Sequence, residues 1–235
     1  MLSVQPSIVG LRSVEMFAQM STSRLEELAP QFAWKRVAAG QHLVSRDALD
    51  REVHLIIGGR VRVTMSTASG RQITYKDLGP GSAVGVLAAI DGAGRATDVI
   101  TLDDTLVASM GEALFHRLLR ESPAVADWML KSLVRMVREL SDRVYEVSAL
   151  GVQNRVHAEM LRLVKEAGVT DNRAMLDPAP THVDIAARVS TYREQVTREI
   201  SAMVKEGLLL RSGHTLVVPD VGRLERIVAE VRRIS

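Results

Sequence analysis

The sequence predicts an α+β chain in three parts: an N-terminal antiparallel β-region of the small-barrel or jelly-roll kind, one long helix, and a C-terminal winged helix-turn-helix. Three observations carry this. Residues 32–110 are a succession of brief β-branched runs broken by Gly, Pro and Asp. After Glu112 apolar residues recur every three or four positions. From Thr181 onward two helical patterns joined by a short turn precede two β-runs.

Before the β-region, Val14, Phe17, Leu25 and Leu28 alternate with polar residues. Ser21 to Ser23 form an N-cap cluster ahead of RLEELAP, so short helices are expected there. The strand candidates are WKRV, QHLV, EVHLII, RVRVTM, QITYKDL, ATDVITL and TLVASM. Gly58-Gly59 between EVHLII and RVRVTM has the positive-φ chemistry of a tight hairpin, and Leu78-Gly79-Pro80-Gly81 is a second break. Seven short strands with such turns favour a barrel or jelly roll, with an open sheet lacking a cavity as the alternative.

The helical stretch that follows places Leu130, Leu133, Val137, Leu140, Val144 and Val147 on a narrow apolar seam. Lys131, Arg135, Arg138, Glu139, Asp142, Arg143 and Glu146 lie between them. So narrow a stripe suits a parallel homodimer with this helix on its axis; packing against its own domain is the other reading. Gly151 interrupts the seam and marks a candidate hinge. A second helix over about residues 154–166 leads into the Asp-, Asn- and Pro-rich loop GVTDNRAMLDPAP, an internal boundary.

In the last segment, residues 184–189 form a short helix, Ser190-Thr191 a turn, and residues 192–206 a second helix. Ala186 is small enough for the two to cross closely. Val196, Ile200 and Val204 are the expected buried side of the second helix, and Arg193, Glu194, Thr197, Arg198 and Ser201 its opposite side. Arg can bond guanine bidentately, Glu can accept from cytosine, and Thr or Ser can bond phosphate. Thr191 with Glu194 also fits a capping box, and a mixed-charge face is also ordinary solvation. LLLR and HTLVV around Ser212-Gly213 complete a wing.

Composition bounds the chemistry. The 235 residues contain no cysteine, which excludes disulfides, thiolate metal sites, iron–sulfur clusters held by cysteine and cysteine catalysis. A make-up of 46% hydrophobic and 25% charged residues is that of a folded protein, and 3% aromatic residues leave its core to Val, Leu, Ile, Ala and Met. Thirty Lys and Arg against 28 Asp and Glu give a net charge of +2, which neither demands nor forbids a polyanionic partner. The amino terminus lacks a signal-peptide pattern and no stretch is long and apolar enough to span a membrane, so a cytoplasmic protein with no membrane partner is expected. No Walker loop, HExxH pattern, G-x-S-x-G elbow, metal-ligand spacing or Ser/His/acid cluster is evident, so no catalytic or metal residues are assigned and an enzyme is not expected.

Taken together, these segments resemble the cyclic-AMP receptor protein and FNR (Crp/Fnr) family of bacterial transcription regulators over almost the whole chain. The resemblance implies a double-stranded β-helix (jelly-roll), cyclic-nucleotide-binding-like domain over 1–121, a dimerisation helix over 122–150 and a winged helix-turn-helix DNA-binding domain over 151–235. It implies a homodimer on a roughly palindromic double-stranded site, with RNA polymerase as a partner. The family's recognition motif maps onto Arg193, Glu194 and Arg198 as base contacts, with Thr181, His182 and Thr197 as phosphate or flanking contacts. Ser190 stands where a turn glycine is usual; a positive φ there costs on the order of 1 kcal/mol. A ligand-binding or scaffold module whose winged helix contacts protein is the competing function, since residues 181–211 carry only a small excess of positive charge.

The effector region departs from the family. Nucleotide-binding members carry Gly-Glu-Leu and then Arg-Ser or Arg-Thr. Here, within VGVLAAIDGAGRATDV, Gly85, Leu87 and Arg95 match, Thr97 lies close by, Val86 replaces the glutamate and Ala96 the hydroxyl residue. Leu140, beside Ser141 on the long helix, replaces a polar residue that faces the adenine. An unpaired ribose hydroxyl in a closed pocket costs about 1–3 kcal/mol, so weak or no cyclic-AMP binding is expected. An exposed loop is the alternative place for Arg95. Haem is not expected from the scattered His42, His54, His116 and His157.

Overall fold

In a computed structural model that describes residues 5–67 and 72–234, the chain divides between Val137 and Arg138 into two compact units. The first four residues of the amino-terminal segment lie outside the described residues. No described helix is long and apolar enough to cross a membrane.

The first unit opens with α1 (Ile8–Arg12) and α2 (Thr22–Leu28). Each starts under a serine: Ser7 Oγ accepts from the Gly10 amide and Ser21 Oγ from that of Arg24, satisfying helix-end donors. Eight strands follow: β1 (Ala33–Val37), β2 (His42–Val44), β3 (Val53–Gly58), β4 (Val61–Ser66), β5 (Gln72–Leu78), β6 (Ala83–Val84), β7 (Asp98–Thr101) and β8 (Thr105–Met110). The short α3 (Val86–Asp91) lies between β6 and β7. All pairings are antiparallel, in two four-stranded sheets of order β1-β8-β3-β6 and β2-β7-β4-β5. Leu43, Val44, Ile56, Val61, Val84, Val99 and Val107 fill a shared core. The opposite face of the first sheet, with Val53, Leu55, Ala108 and Met110, packs against Phe17, Phe115 and Leu118 of the helical layer. Burial on both faces explains why EVHLII reads as a continuous apolar run.

One turn differs from the expectation. β3 and β4 do not pair, so Gly58-Gly59 is not a hairpin turn but the passage from one sheet to the other. Gly59 has φ +82, and a Cβ there would lie 2.7 Å from the Asp104 carbonyl oxygen and 2.7 Å from Thr105 Oγ1. The close approach and the positive φ both require glycine. The two-residue strand β6 also escaped the sequence pattern.

α4 (Glu112–Glu121) leads into α5 (Pro123–Ala149). Leu130, Val134, Val137, Leu140, Val144 and Val147 are between 46% and 66% exposed along α5. Leu133, expected in the seam, packs instead against the core of the first unit, and Val134 takes its place. Leu133 and Val134 each lie three or four positions from both Leu130 and Val137, so periodicity alone does not choose between them.

The second unit continues with α6 (Val152–Ala167), β9 (Ala174–Leu176), α7 (His182–Arg188), α8 (Arg193–Lys205), β10 (Leu210–Ser212), β11 (Thr215–Val218) and α9 (Val221–Ile234). The segment read as a loop after α6 holds β9, which pairs with β11 to make a three-stranded sheet of order β10-β11-β9. Its core includes Val156, Met160, Ile185, Val196, Ile200, Met203, Leu209 and Leu224. Met203, not Val204, completes the buried side of α8, and Val204 is exposed. The wing turn is Gly213-His214, because Ser212 pairs directly with Thr215.

Candidate nucleic-acid interface and effector region

α7 and α8 meet through Ala186, which is buried and whose carbonyl accepts from the Thr191 amide at 3.1 Å. Ser190 between them adopts φ +53, the left-handed conformation for which serine is strained. The expected Thr191–Glu194 capping box does not form. Tyr192 is the N-cap residue of α8, and the Thr191 hydroxyl bonds the Gln195 side-chain oxygen. Glu194 is thereby left on the exposed side of the first turn, where its charge suits the positive end of the helix.

The outward face of α8 carries Arg193, Glu194, Thr197, Arg198 and Ser201, all exposed. Among the described residues neither Arg193 nor Arg198 has an ion-pair or side-chain hydrogen-bond partner. Arg193 and Arg198 are separated by five helical steps, about 7.5 Å along the axis, a reach comparable to about two base-pair steps of B-DNA. Thr197 donates to the Arg193 carbonyl at 3.0 Å and is joined to His182 Nδ1 at 2.7 Å. Thr181 is the N-cap of α7: its hydroxyl oxygen accepts from the Asp184 amide at 3.1 Å, and the same hydroxyl donates to Asp184 Oδ2 at 2.7 Å. A concavity of about 560 Å³ lies beside α8, lined by residues that include His182, Arg193, Thr197, Arg211 and His214. Burial, then the charges of Arg211 and Arg193, hold the His182 imidazole below its ordinary pKa.

Sequence patterns did not disclose what sets this head on the end of α5. Glu146 and Glu159 are each 1% exposed. Arg162 bonds Glu146 at 2.7 Å and Glu159 at 2.8 Å, Arg143 reaches Glu159 at 3.3 Å, and Arg188 at the end of α7 reaches Glu159 at 3.4 Å. Burial alone would lower the Arg162 pKa, but the hydrogen bond with Glu146 and the charges of both glutamates raise it. Arg155 adds a clamp, donating to the Val189 carbonyl at 2.9 Å and the Leu150 carbonyl at 2.8 Å. One polar cluster thus links the last turns of α5 to α6 and to α7.

In the first unit, Gly85 starts α3 with φ +85, and a Cβ there would collide with Arg95 Nη1 and lie 2.6 Å from the Glu52 carbonyl oxygen. Arg95 is 2% exposed, not an exposed loop residue. It donates to the Gly85 carbonyl at 3.0 Å and the Glu52 carbonyl at 2.7 Å and pairs with Asp50. That hydrogen bond holds the Asp50 carboxyl below the usual carboxylate range. Val86 is buried in the helix-facing core, Leu87 and Ala96 are exposed, and Thr97 is half-buried. Gly85 and Arg95 are therefore brought together, while Val86 is turned to the core. Leu140 and Ser141 are exposed on α5, in the second unit. Nearby in the first unit, His54 is buried with Nδ1 2.7 Å from Ser109 Oγ; burial first, then the charges of Lys35 and Arg95, pushes its pKa down to about 4. Among the described residues no group of His, Asp or Glu has the arrangement of a metal site.

Comparison with known proteins agrees with both halves. Residues 34–122 match the model of the cyclic nucleotide-binding domain, and residues 154–227 that of the Crp-like helix-turn-helix domain. The chain is 24% identical over 219 residues to the cyclic AMP receptor protein of Thermus thermophilus, covering 92% of this chain and 98% of that one. A CooA mutant from Carboxydothermus hydrogenoformans has the same fold, with a TM-score of 0.77 at 18% identity over 97% of this chain and 98% of that one. A human patatin-like phospholipase domain-containing protein 6 is 25% identical over 61% of this chain, which amounts to 10% of that protein.

Proposed function

Because the chain belongs to the Crp/Fnr family of DNA-binding transcription regulators, we propose that it acts as a homodimer whose two α8 helices read the halves of a roughly palindromic operator. The observation that carries this is the outward face of α8, where Arg193 and Arg198 stand exposed beside Glu194. Arg193, Glu194 and Arg198 contact base edges; Thr197 and His182 lie on the phosphate side, with Thr181 holding the start of α7. The exposed apolar seam of α5 supports the dimer. As a regulator it works in the cytoplasm and contacts RNA polymerase.

The effector region is altered. Val86 offers no acceptor and is packed in the core, Ala96 offers no hydroxyl, and Arg95 is already engaged by Asp50 and two carbonyls. Cyclic AMP therefore binds weakly or not at all, and calorimetry with low-micromolar affinity would overturn that statement. The test of the main reading is a gel shift with DNA from the protein's own upstream region. Specific retention that is abolished by Arg193→Ala with Arg198→Ala supports it. Equal binding of wild type and variant to random DNA sinks it.

A further inference from the structure

The concavity beside α8 is lined by His182 and Thr181 from the start of α7, by Arg193 and Thr197 from α8, and by Arg211 and His214 from the wing. No carboxylate lines it among the described residues. The nearest acid on α7, Asp184, accepts a hydrogen bond from the Thr181 hydroxyl at 2.7 Å. The concavity is thus a cationic recess at the edge of the DNA-reading face.

Inside it the hydrogen bonds fix a proton. The Thr197 hydroxyl has a single hydrogen, and it donates to the Arg193 carbonyl at 3.0 Å. With that hydrogen so placed, the lone pairs of Thr197 Oγ1 meet His182 Nδ1, 2.7 Å away, and the tautomer that makes this contact carries its hydrogen on Nδ1. A neutral imidazole with its hydrogen on Nδ1 has a lone pair on Nε2. A phosphate oxygen arriving at Nε2 would face lone pair against lone pair. Only the imidazolium, with Nε2 protonated as well, can donate to it.

We infer that this recess seats a DNA backbone phosphodiester and that seating it converts His182 to the imidazolium, so that operator binding takes up a proton at each half-site. The inference rests on the DNA-reading role proposed for α8. In the free protein, burial and the charges of Arg211 and Arg193 oppose protonation. A phosphate between them reverses the sign of that local field. Affinity should therefore rise as pH falls, by up to about tenfold per pH unit for each half-site between the lowered pKa of the free state and the raised pKa of the bound state. The protein's Thr197 relay makes His182 a switchable donor where an arginine would be a permanent one.

The experiment measures binding to the retained upstream duplex by fluorescence anisotropy at pH 6, 7 and 8 at constant salt. Wild type, His182→Gln, His182→Arg and Thr197→Val are compared, each checked for folding by circular dichroism. Wild-type affinity should increase about tenfold or more from pH 8 to pH 6. His182→Gln and His182→Arg should each lose about one proton of linkage per half-site, with any remaining slope belonging to His214. His182→Arg should bind more tightly than wild type at pH 8. Thr197→Val frees the histidine to present Nε2–H while neutral and should flatten the profile. Specific binding with a wild-type slope that is flat, or unchanged in His182→Gln, overturns the inference while leaving the DNA-reading role intact. Absence of specific retention at every pH overturns both. Nitrogen NMR of the free protein gives an independent reading: a neutral His182 with its hydrogen on Nε2 also overturns the inference.

Discussion

Replacing Glu159 by Gln should unfold the second unit far more easily while leaving side-chain volume almost unchanged. Glu159 is 1% exposed and is held by Arg162 at 2.8 Å, Arg143 at 3.3 Å and Arg188 at 3.4 Å. With the charge removed, three guanidinium groups face the single carboxylate of Glu146. Breaking a buried ion pair from one side costs about 3–5 kcal/mol, because the remaining charge keeps its desolvation penalty. We take about 3 kcal/mol, since the amide oxygen still accepts one hydrogen bond. For a unit of this size each kcal/mol moves the melting temperature by about 4–8 °C, so the shift should be about 12–24 °C. Differential scanning calorimetry reads it directly, with the melting of the first unit as an internal reference. Replacing Glu146, Glu159, Arg162 and Arg188 together by apolar residues of similar size should cost much less, because no charge is then stranded. A shift below about 3 °C for Glu159→Gln, or a larger loss in the apolar variant, would refute the view that this cluster is a closed electrostatic joint.

Three further outcomes follow from the geometry. Val137→Glu with Val144→Glu places charges on the exposed seam of α5 and should turn a dimer into a monomer in sedimentation velocity without changing helix content; an unchanged dimer removes the seam from the interface. Gly59→Ala should destabilise the first unit by about 2–4 kcal/mol in urea titration, because φ is +82 and the new methyl meets backbone and side-chain oxygen at 2.7 Å, whereas Gly58→Ala, with its nearest neighbour at 3.9 Å, should be close to neutral. The His54 pKa is about 4 in the folded state, below an unfolded value near 6.5, so His54 leaves stability intact above pH 6.5. Stability then falls as pH drops toward 4, since the unfolded chain takes a proton that the folded chain refuses. The loss should total about 3 kcal/mol, and urea midpoints from pH 7 to pH 4.5 should lose that slope in His54→Gln.

Local patterns disclosed the strand runs, the serine caps and the course of α5, because alternation, capping chemistry and helical period are written within a few residues. They did not disclose partners. Gly58-Gly59 has the composition of a hairpin turn, but strand pairing places β3 and β4 in different sheets, a non-local outcome. Leu133 and Val134 are neighbours in sequence, and only packing decides which of them meets the core. Val204 and Met203 raise the same question on α8, where the longer and more flexible methionine fills the interior. At the interface, Arg193 and Arg198 were legible because exposed residues on a short helix follow from period alone. The Glu146–Glu159–Arg162–Arg188 cluster was not, since charged residues on helices ordinarily read as solvated and their burial comes from three helices meeting. Arg95 was found by resemblance, but its engagement by Asp50 and two backbone carbonyls is a property of the fold.

The central claim is that the exposed arginines of α8 read sequence. Operators selected from random duplexes by wild type and by Arg198→Ala, at the same salt concentration, test it most directly. The account expects a two-fold symmetric wild-type site with half-sites about one helical turn apart. It expects Arg198→Ala to lose about 1–3 kcal/mol per half-site, with the base preference relaxed at one position in each half and retained elsewhere. An identical selected sequence from wild type and Arg198→Ala, or no preferred sequence from wild type, would contradict it.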